Sequence, residues 1–152
     1  MRKIAIVLYA PPGGGKGTQA ELLAKEFGLI HFDTGKYLES VVHHLERQGD
    51  SVIKRELKNF DTGMLMTPTF VYREVERAVK RIAQSGLGVV FSGSPRTIYE
   101  AERLIPLLEK LYGKTNIRVV ELKVSPKDAV SRNSNRVLCS ICHAPLLTKY
   151  YP

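Results

Sequence analysis

Apolar positions along this chain recur with two different spacings, and the switches between them mark out the elements. Ile4 to Ala10 is a run of seven mostly apolar residues rich in β-branched and aromatic types, which predicts a buried strand. Beyond a glycine-rich break, Leu22, Leu23 and Phe27 carry a helical pattern, and Leu29 to Phe32 predicts a second short strand or strand-to-loop segment. Helical spacing returns with Tyr37, Leu38, Val41, Val42 and Leu45, where Asp33 or Thr34 is the expected cap, and again from Val52 to Phe60. Thr67-Pro68 reads as an N-cap with proline at the first helical position. It opens an amphipathic stretch from Phe70 to Ala83 that aligns Val71, Val75, Ala78, Val79 and Ile82. Val89 to Ser92 predicts a third strand, Ile98 to Leu111 a helix, Ile117 to Val124 a fourth strand and Pro126 to about Val137 a last helix. Strands alternating with helices predict an α/β fold with a parallel sheet and right-handed crossovers, in which ligands sit at the carboxyl ends of the strands.

Three turns fall at such ends, and the first carries chemistry. Pro11-Pro12-Gly13-Gly14-Gly15-Lys16-Gly17-Thr18 links the first strand to the first helix. Main-chain amides of Gly13, Gly14, Gly15 and Gly17, the positive end of a helix dipole and the Lys16 ammonium together make an anion cradle, open to phosphate because glycine has no side chain. The match to the general phosphate-loop pattern is imperfect: Ala10 stands at its first glycine and Gly17 separates Lys16 from Thr18. The other two turns are Asp33-Thr34-Gly35 and Gly93-Ser94-Pro95-Arg96-Thr97.

Composition narrows the partners. The chain of 152 residues suits one domain, and 43% hydrophobic with 25% charged residues is ordinary for a soluble protein. Lys plus Arg exceed Asp plus Glu by 23 − 15 = 8, a balance that suits anionic ligands. Without an RNA-binding signature or a compact Lys/Arg run, phosphorylated small molecules are expected rather than nucleic acid. Neither a secretory signal nor a membrane-length apolar segment is present in the sequence. Two cysteines spaced C-x2-C do not make a disulfide framework. A cytoplasmic monomer is the expectation.

In collinear order, the glycine loop with Thr18-Gln19-Ala20, Asp33-Thr34-Gly35, Gly63, Thr67, Gly93 to Thr97, Ala101-Glu102 and Arg132 through Cys142 resemble an adenylate kinase, or more broadly a nucleoside monophosphate kinase. The resemblance implies a three-layer P-loop NTPase-type core over 1–32 and 67–137, a helical acceptor-binding insertion at 33–66 and a partial lid at 138–152. It implies transfer of the ATP γ-phosphoryl group to a nucleoside monophosphate with Mg²⁺. Lys16, Arg96 and Arg136 would be catalytic, with the glycine loop, Thr18, Arg132 and Arg136 on ATP. Thr34, Gly35, Leu65, Met66, Gly93, Arg96 and Glu100 would hold the acceptor. Arg132 precedes Arg136 by four residues and is expected on the same helix face, while Leu65 and Met66 read equally well as base-pocket lining and as core.

The sequence also departs from that family. Glu39 stands where an arginine usually holds the acceptor phosphate, Ser92 where an acidic residue holds Mg²⁺ through water, and Glu100 where a glutamine reads adenine. A carboxylate only accepts, so Glu100 suits the ring N–H and amino donors of guanine. Cys139 and Cys142 resemble half of a zinc-bearing lid; a closed site needs four ligands, so Zn²⁺ held by this chain alone is not expected. The same comparison suggests a fragment or shortened reading frame, lacking later arginines and a last strand. Two alternatives follow: a catalytically weak nucleotide-binding module with a regulatory or partner role, and a basic nucleic-acid-binding protein.

Overall fold

The computed structural model describes residues 3–44, 47, 49–140 and 145–146. Its elements follow the predicted alternation: β1 (Ala5–Tyr9), α1 (Lys16–Phe27), β2 (Ile30–Phe32), α2 (Thr34–Val42), α3 (Ser51–Asp61), α4 (Pro68–Gln84), β3 (Val89–Phe91), α5 (Ile98–Tyr112), β4 (Ile117–Glu121), α6 (Pro126–Ser134), β5 (Val137–Leu138) and β6 (Pro145–Leu146). Four strands form a parallel sheet in the order β2-β3-β1-β4, with Val7 opposite Phe91 on one side and Val119 on the other. The chain thus has the α/β architecture of a P-loop NTPase-type core.

Strand alternation sends side chains to two separate cores. Ala5, Val7, Val89 and Phe91 face one cluster, built with Val71, Val75 and Val79 of α4 and Leu104 and Leu108 of α5. Ile6, Leu8 and Val90 face the other, against Ala20 of α1 and Leu29. Helices therefore cover both faces of the sheet, and β3 is buried at all three positions, as expected of a central parallel strand.

Helix starts are fixed by side chains, in one case from a distance. Asp33, not Thr34, caps α2 by accepting from the amides of Gly35 (3.0 Å) and Lys36 (3.3 Å). At α4, Pro68 occupies the first turn as predicted, but Thr67 makes no side-chain cap bond. Its hydroxyl and amide are both taken by buried Glu56 of α3, at 2.6 and 2.9 Å. Three boundaries fall three residues short of expectation: α2 ends at Val42 rather than running through Leu45, and two others follow. β4 stops at Glu121 rather than Val124, and α6 at Ser134 rather than Val137. Ser131, Asn133, Ser134 and Asn135 compete with the helix for backbone hydrogen bonds, which accounts for the early stop of α6. The expected helical residue Leu45 lies outside the described residues.

Candidate functional site

The turn after β1 is shaped by what its glycines lack. Gly13 and Gly15 adopt positive φ of 78° and 83°, a region that side chains disfavour. A Cβ on Gly13 would collide with the carbonyl oxygen of Ala129 in α6, so the loop lies directly against that helix. A Cβ on Gly14 would lie 2.6 Å from the Ala10 methyl and 2.9 Å from the Pro11 carbonyl oxygen. The alanine that breaks the phosphate-loop pattern therefore packs into space left by the next glycine but one. Lys16, the first residue of α1, donates from Nζ to the carbonyl oxygens of Ala10 (2.6 Å) and Pro11 (3.1 Å), folding back across the loop.

The turns after β2 and β3 meet each other. Gly93 approaches Thr34 so closely that a Cβ there would be 3.1 Å from the Thr34 Cβ. Next to Gly35, a Cβ would find an Arg96 guanidinium nitrogen at 3.8 Å. Arg96 is steadied by its Nε, which donates to the Gly93 carbonyl at 2.8 Å, and the Ser94-Pro95 peptide before it is cis. Thr34 is fully buried, and its hydroxyl has no hydrogen-bond partner among the described residues; the same is true of the Ser94 hydroxyl. Buried hydroxyls are seldom left unsatisfied, so Thr34 Oγ1 is a polar group in want of a ligand.

Electrostatics join these turns to the glycine loop. Burial, and then the positive charge of Arg96, lower Lys16 from its ordinary pKa. Two cations held within each other's field form a site that an anion relieves. Beside them, Ser92 is buried and its hydroxyl lies 2.8 Å from His31 Nε2. Burial holds the His31 pKa below the usual imidazole value, against the upward pull of Asp33 and Glu21. His31 and Asp33 line a cleft of about 320 Å³ with Phe32, Lys36 and Tyr37.

Other candidate residues fall in varied settings. Met66 is buried in the larger core, whereas Leu65 is 67% exposed. Buried Glu100 accepts from the Arg96 amide (2.9 Å) and the Thr97 hydroxyl (3.1 Å), so its carboxylate organises the turn; any base would have to use its remaining lone pairs. Glu39 is exposed on α2. Arg132 and Arg136 do not share a helix face: α6 ends between them, and both side chains are exposed. Arg132 nevertheless follows Ala129, the residue against Gly13, by less than one turn. Thr18 is exposed in the first turn of α1.

Among the described residues no group of three His, Cys, Asp or Glu is placed to hold a metal ion. The donor nearest to the expected role, Ser92, is neutral and already engaged by His31. The described residues therefore do not fit a resident Mg²⁺ site. Cys139 follows β5, whose antiparallel pairing with β6 brackets the cysteine segment; Cys142 lies outside the described residues. No helix among the described residues is long and apolar enough to cross a membrane.

Pair-bonded Glu56 and the closure of Gly14 over Ala10 were not foreseen from the residues. For Glu56 the available signal was a glutamate among helical residues eleven positions before a Thr-Pro helix start, too long a spacing for a capping box.

Known proteins resemble this chain in sequence. The family model described as adenylate kinase matches residues 8–139. The adenylate kinase of Paracoccus denitrificans (strain Pd 1222) is 34% identical over 139 residues, which is 91% of this chain and 60% of that protein. That of Paramagnetospirillum magneticum is 33% identical over 145 residues, 95% of this chain and 64% of that protein. That of Methanothrix thermoacetophila is 34% identical over 134 residues, 88% and 60% of the two chains. The chain spans about three fifths of the length of these relatives. With a family match across most of its residues, the chain belongs to the adenylate kinase family.

Proposed function

We propose that this chain carries the phosphotransfer core of a nucleoside monophosphate kinase, moving the γ-phosphoryl group of MgATP to a nucleoside monophosphate. The carrying observation is that Lys16 and Arg96, from turns on different strands, lie within each other's field beside the unpartnered Thr34 hydroxyl. In this reading the amides of Gly13, Gly14, Gly15 and Gly17 receive the donor phosphates, Lys16 bridges β and γ, and Thr18 faces the magnesium ion. Arg96 grips the acceptor phosphate, with Thr34, Gly35 and Gly93 beside it, Leu65 and Met66 near its base and Glu100 holding the turn. Arg132 and Arg136 approach the donor from the α6 side. An acceptor phosphate oxygen attacks the γ-phosphorus as the bond to the β–γ bridging oxygen breaks, leaving ADP. Charge neutralisation and alignment do the work, since such transfer needs little covalent help from the protein.

The same reading divides the chain into a core at 1–32 and 67–137, an acceptor-binding insertion at 33–66 and the beginning of a lid at 138–152. It makes the protein a cytoplasmic monomer whose partners are ATP and a nucleoside monophosphate. Incubating the chain with ATP, Mg²⁺ and AMP, GMP, CMP or UMP in turn, with products followed by phosphorus NMR, tests it. Diphosphates forming from both substrates are expected with at least one acceptor. ATP binding without any diphosphate would favour a second reading, a nucleotide-binding module of weak or no activity. The exposed carboxylate of Glu39 on α2 and the neutral Ser92–His31 pair support that second reading.

A further inference from the structure

Glu74 lies on α4 with only 2% of its surface exposed. A carboxylate removed from water requires partners, and here three guanidiniums converge on one oxygen. Arg47 Nη2, Arg73 Nε and Arg77 Nη1 lie 3.4, 3.3 and 3.2 Å from Glu74 Oε1. Arg73 and Arg77 belong to α4, whereas Arg47 reaches over from the segment between α2 and α3. Tyr37 of α2 donates its hydroxyl to the Glu74 carbonyl oxygen at 3.3 Å. Burial and Glu74 raise the Tyr37 pKa, and the charges of Arg81, Arg47 and Arg77 act against that rise.

One carboxylate cannot neutralise three guanidiniums: the cluster carries 3 − 1 = +2. The next acidic residue on α4, Glu76, is occupied by Lys80 at 2.8 Å. Arg47, Arg73 and Arg77 remain 34%, 47% and 55% exposed, with N–H donors still turned to water. The Arg73 guanidinium is also backed by the Phe70 ring at 5.4 Å. We propose that this arginine cluster is a second anion site, separate from the glycine loop, for a compact and multiply charged phosphate.

Two features set that ligand class. Arg73 and Arg77 stand about one helical turn apart, about 6 Å along α4, with Arg47 on the same carboxylate, room for a few linked phosphates rather than for a nucleic-acid strand. The guanidiniums are already gathered by the buried carboxylate, so a ligand orders few side chains on arrival. The location is distinct as well. α4 packs in the core cluster on one face of the sheet, and α1, which opens at the glycine loop, packs on the other.

Titration calorimetry with inorganic tripolyphosphate at low salt tests the proposal on the whole chain. The unaltered protein should show two classes of site, and Lys16→Met should keep one. Adding Arg73→Gln and Arg77→Gln to that variant should weaken the remaining site by about tenfold or more. Arg77→Gln alone in the Lys16→Met background, at the most exposed of the three guanidiniums, should weaken binding about threefold or more. If the double arginine variant does not fold, the single Arg77→Gln result decides alone: unchanged or tighter binding overturns the site. So does loss of all tripolyphosphate binding in Lys16→Met, or binding of single-stranded polynucleotide where tripolyphosphate does not bind. The readout is binding, so a chain without phosphotransfer activity would leave this inference standing.

Discussion

Single atoms decide much of the glycine loop. The Ala10 methyl and the missing Cβ of Gly14 are two halves of one fit, since a Cβ at 14 would come within 2.6 Å of that methyl. Gly14→Ala is therefore expected to destabilise the loop by about 1–3 kcal/mol and to weaken ATP binding. Ala10→Gly should restore part of the loss, with a coupling of about 0.5–3 kcal/mol read from a double-mutant cycle of binding and unfolding. Strict additivity would mean the two positions do not share that space. Arg96, aimed by the Gly93 carbonyl, is expected to carry transition-state charge. Arg96→Ala should lower turnover by about 10³-fold or more, as removal of a phosphate-gripping arginine does. Arg96→Lys keeps the charge but loses the forked geometry, so its rate should fall between the two. Equal rates for all three proteins would remove Arg96 from the reaction.

At the level of elements, the joint between α3 and α4 rests on Glu56. Burial alone would raise its pKa, but hydrogen bonds from the Thr67 hydroxyl and amide, then from Arg55 and Asn59, outweigh it and hold the carboxyl below its usual value. A depressed native pKa means that the charged form stabilises the fold at pH above the unfolded value of about 4.3. That contribution drains away as pH falls through the native pKa. Glu56→Gln should cost about 1–3 kcal/mol near neutrality and make unfolding less sensitive to acid below about pH 4.5. Urea titrations from pH 3 to 7 measure both, and parallel pH profiles for the two proteins would contradict the assignment. Helices and strands were legible in the sequence where periodicity was strong, as in α4 with Val71, Val75 and Val79 facing one core. Boundaries set by weaker signals were not: the Ser- and Asn-rich end of α6 stopped early and parted Arg132 from Arg136. The Glu56–Thr67 contact spans eleven residues and two helices, so no local rule exposes it.

For the molecule as a whole, the two clusters on either side of the sheet follow directly from strand alternation, and the turns at strand ends from the glycines between them. Their meeting was less legible, because the contact of Gly93 with Thr34 and the shared field of Lys16 and Arg96 exist only once β1, β2 and β3 lie side by side. β4 pairs only with β1 among the described residues, leaving Val119 63% and Val120 38% exposed. Val119→Lys is expected to change unfolding free energy by no more than about 0.5 kcal/mol, because an exposed edge position loses little packing. A loss of several kcal/mol would show that this strand is covered in solution. The central claim is that nucleotide phosphates lie among the amides of residues 13–17 under the Lys16 ammonium. Amide NMR of the chain titrated with MgATP tests it most directly. The largest shifts should fall on Gly13 to Thr18 and near Arg96, and Lys16→Met should weaken the titration by about tenfold or more. Saturable ATP binding that leaves those amides unmoved, or that is unchanged in Lys16→Met, would contradict the account.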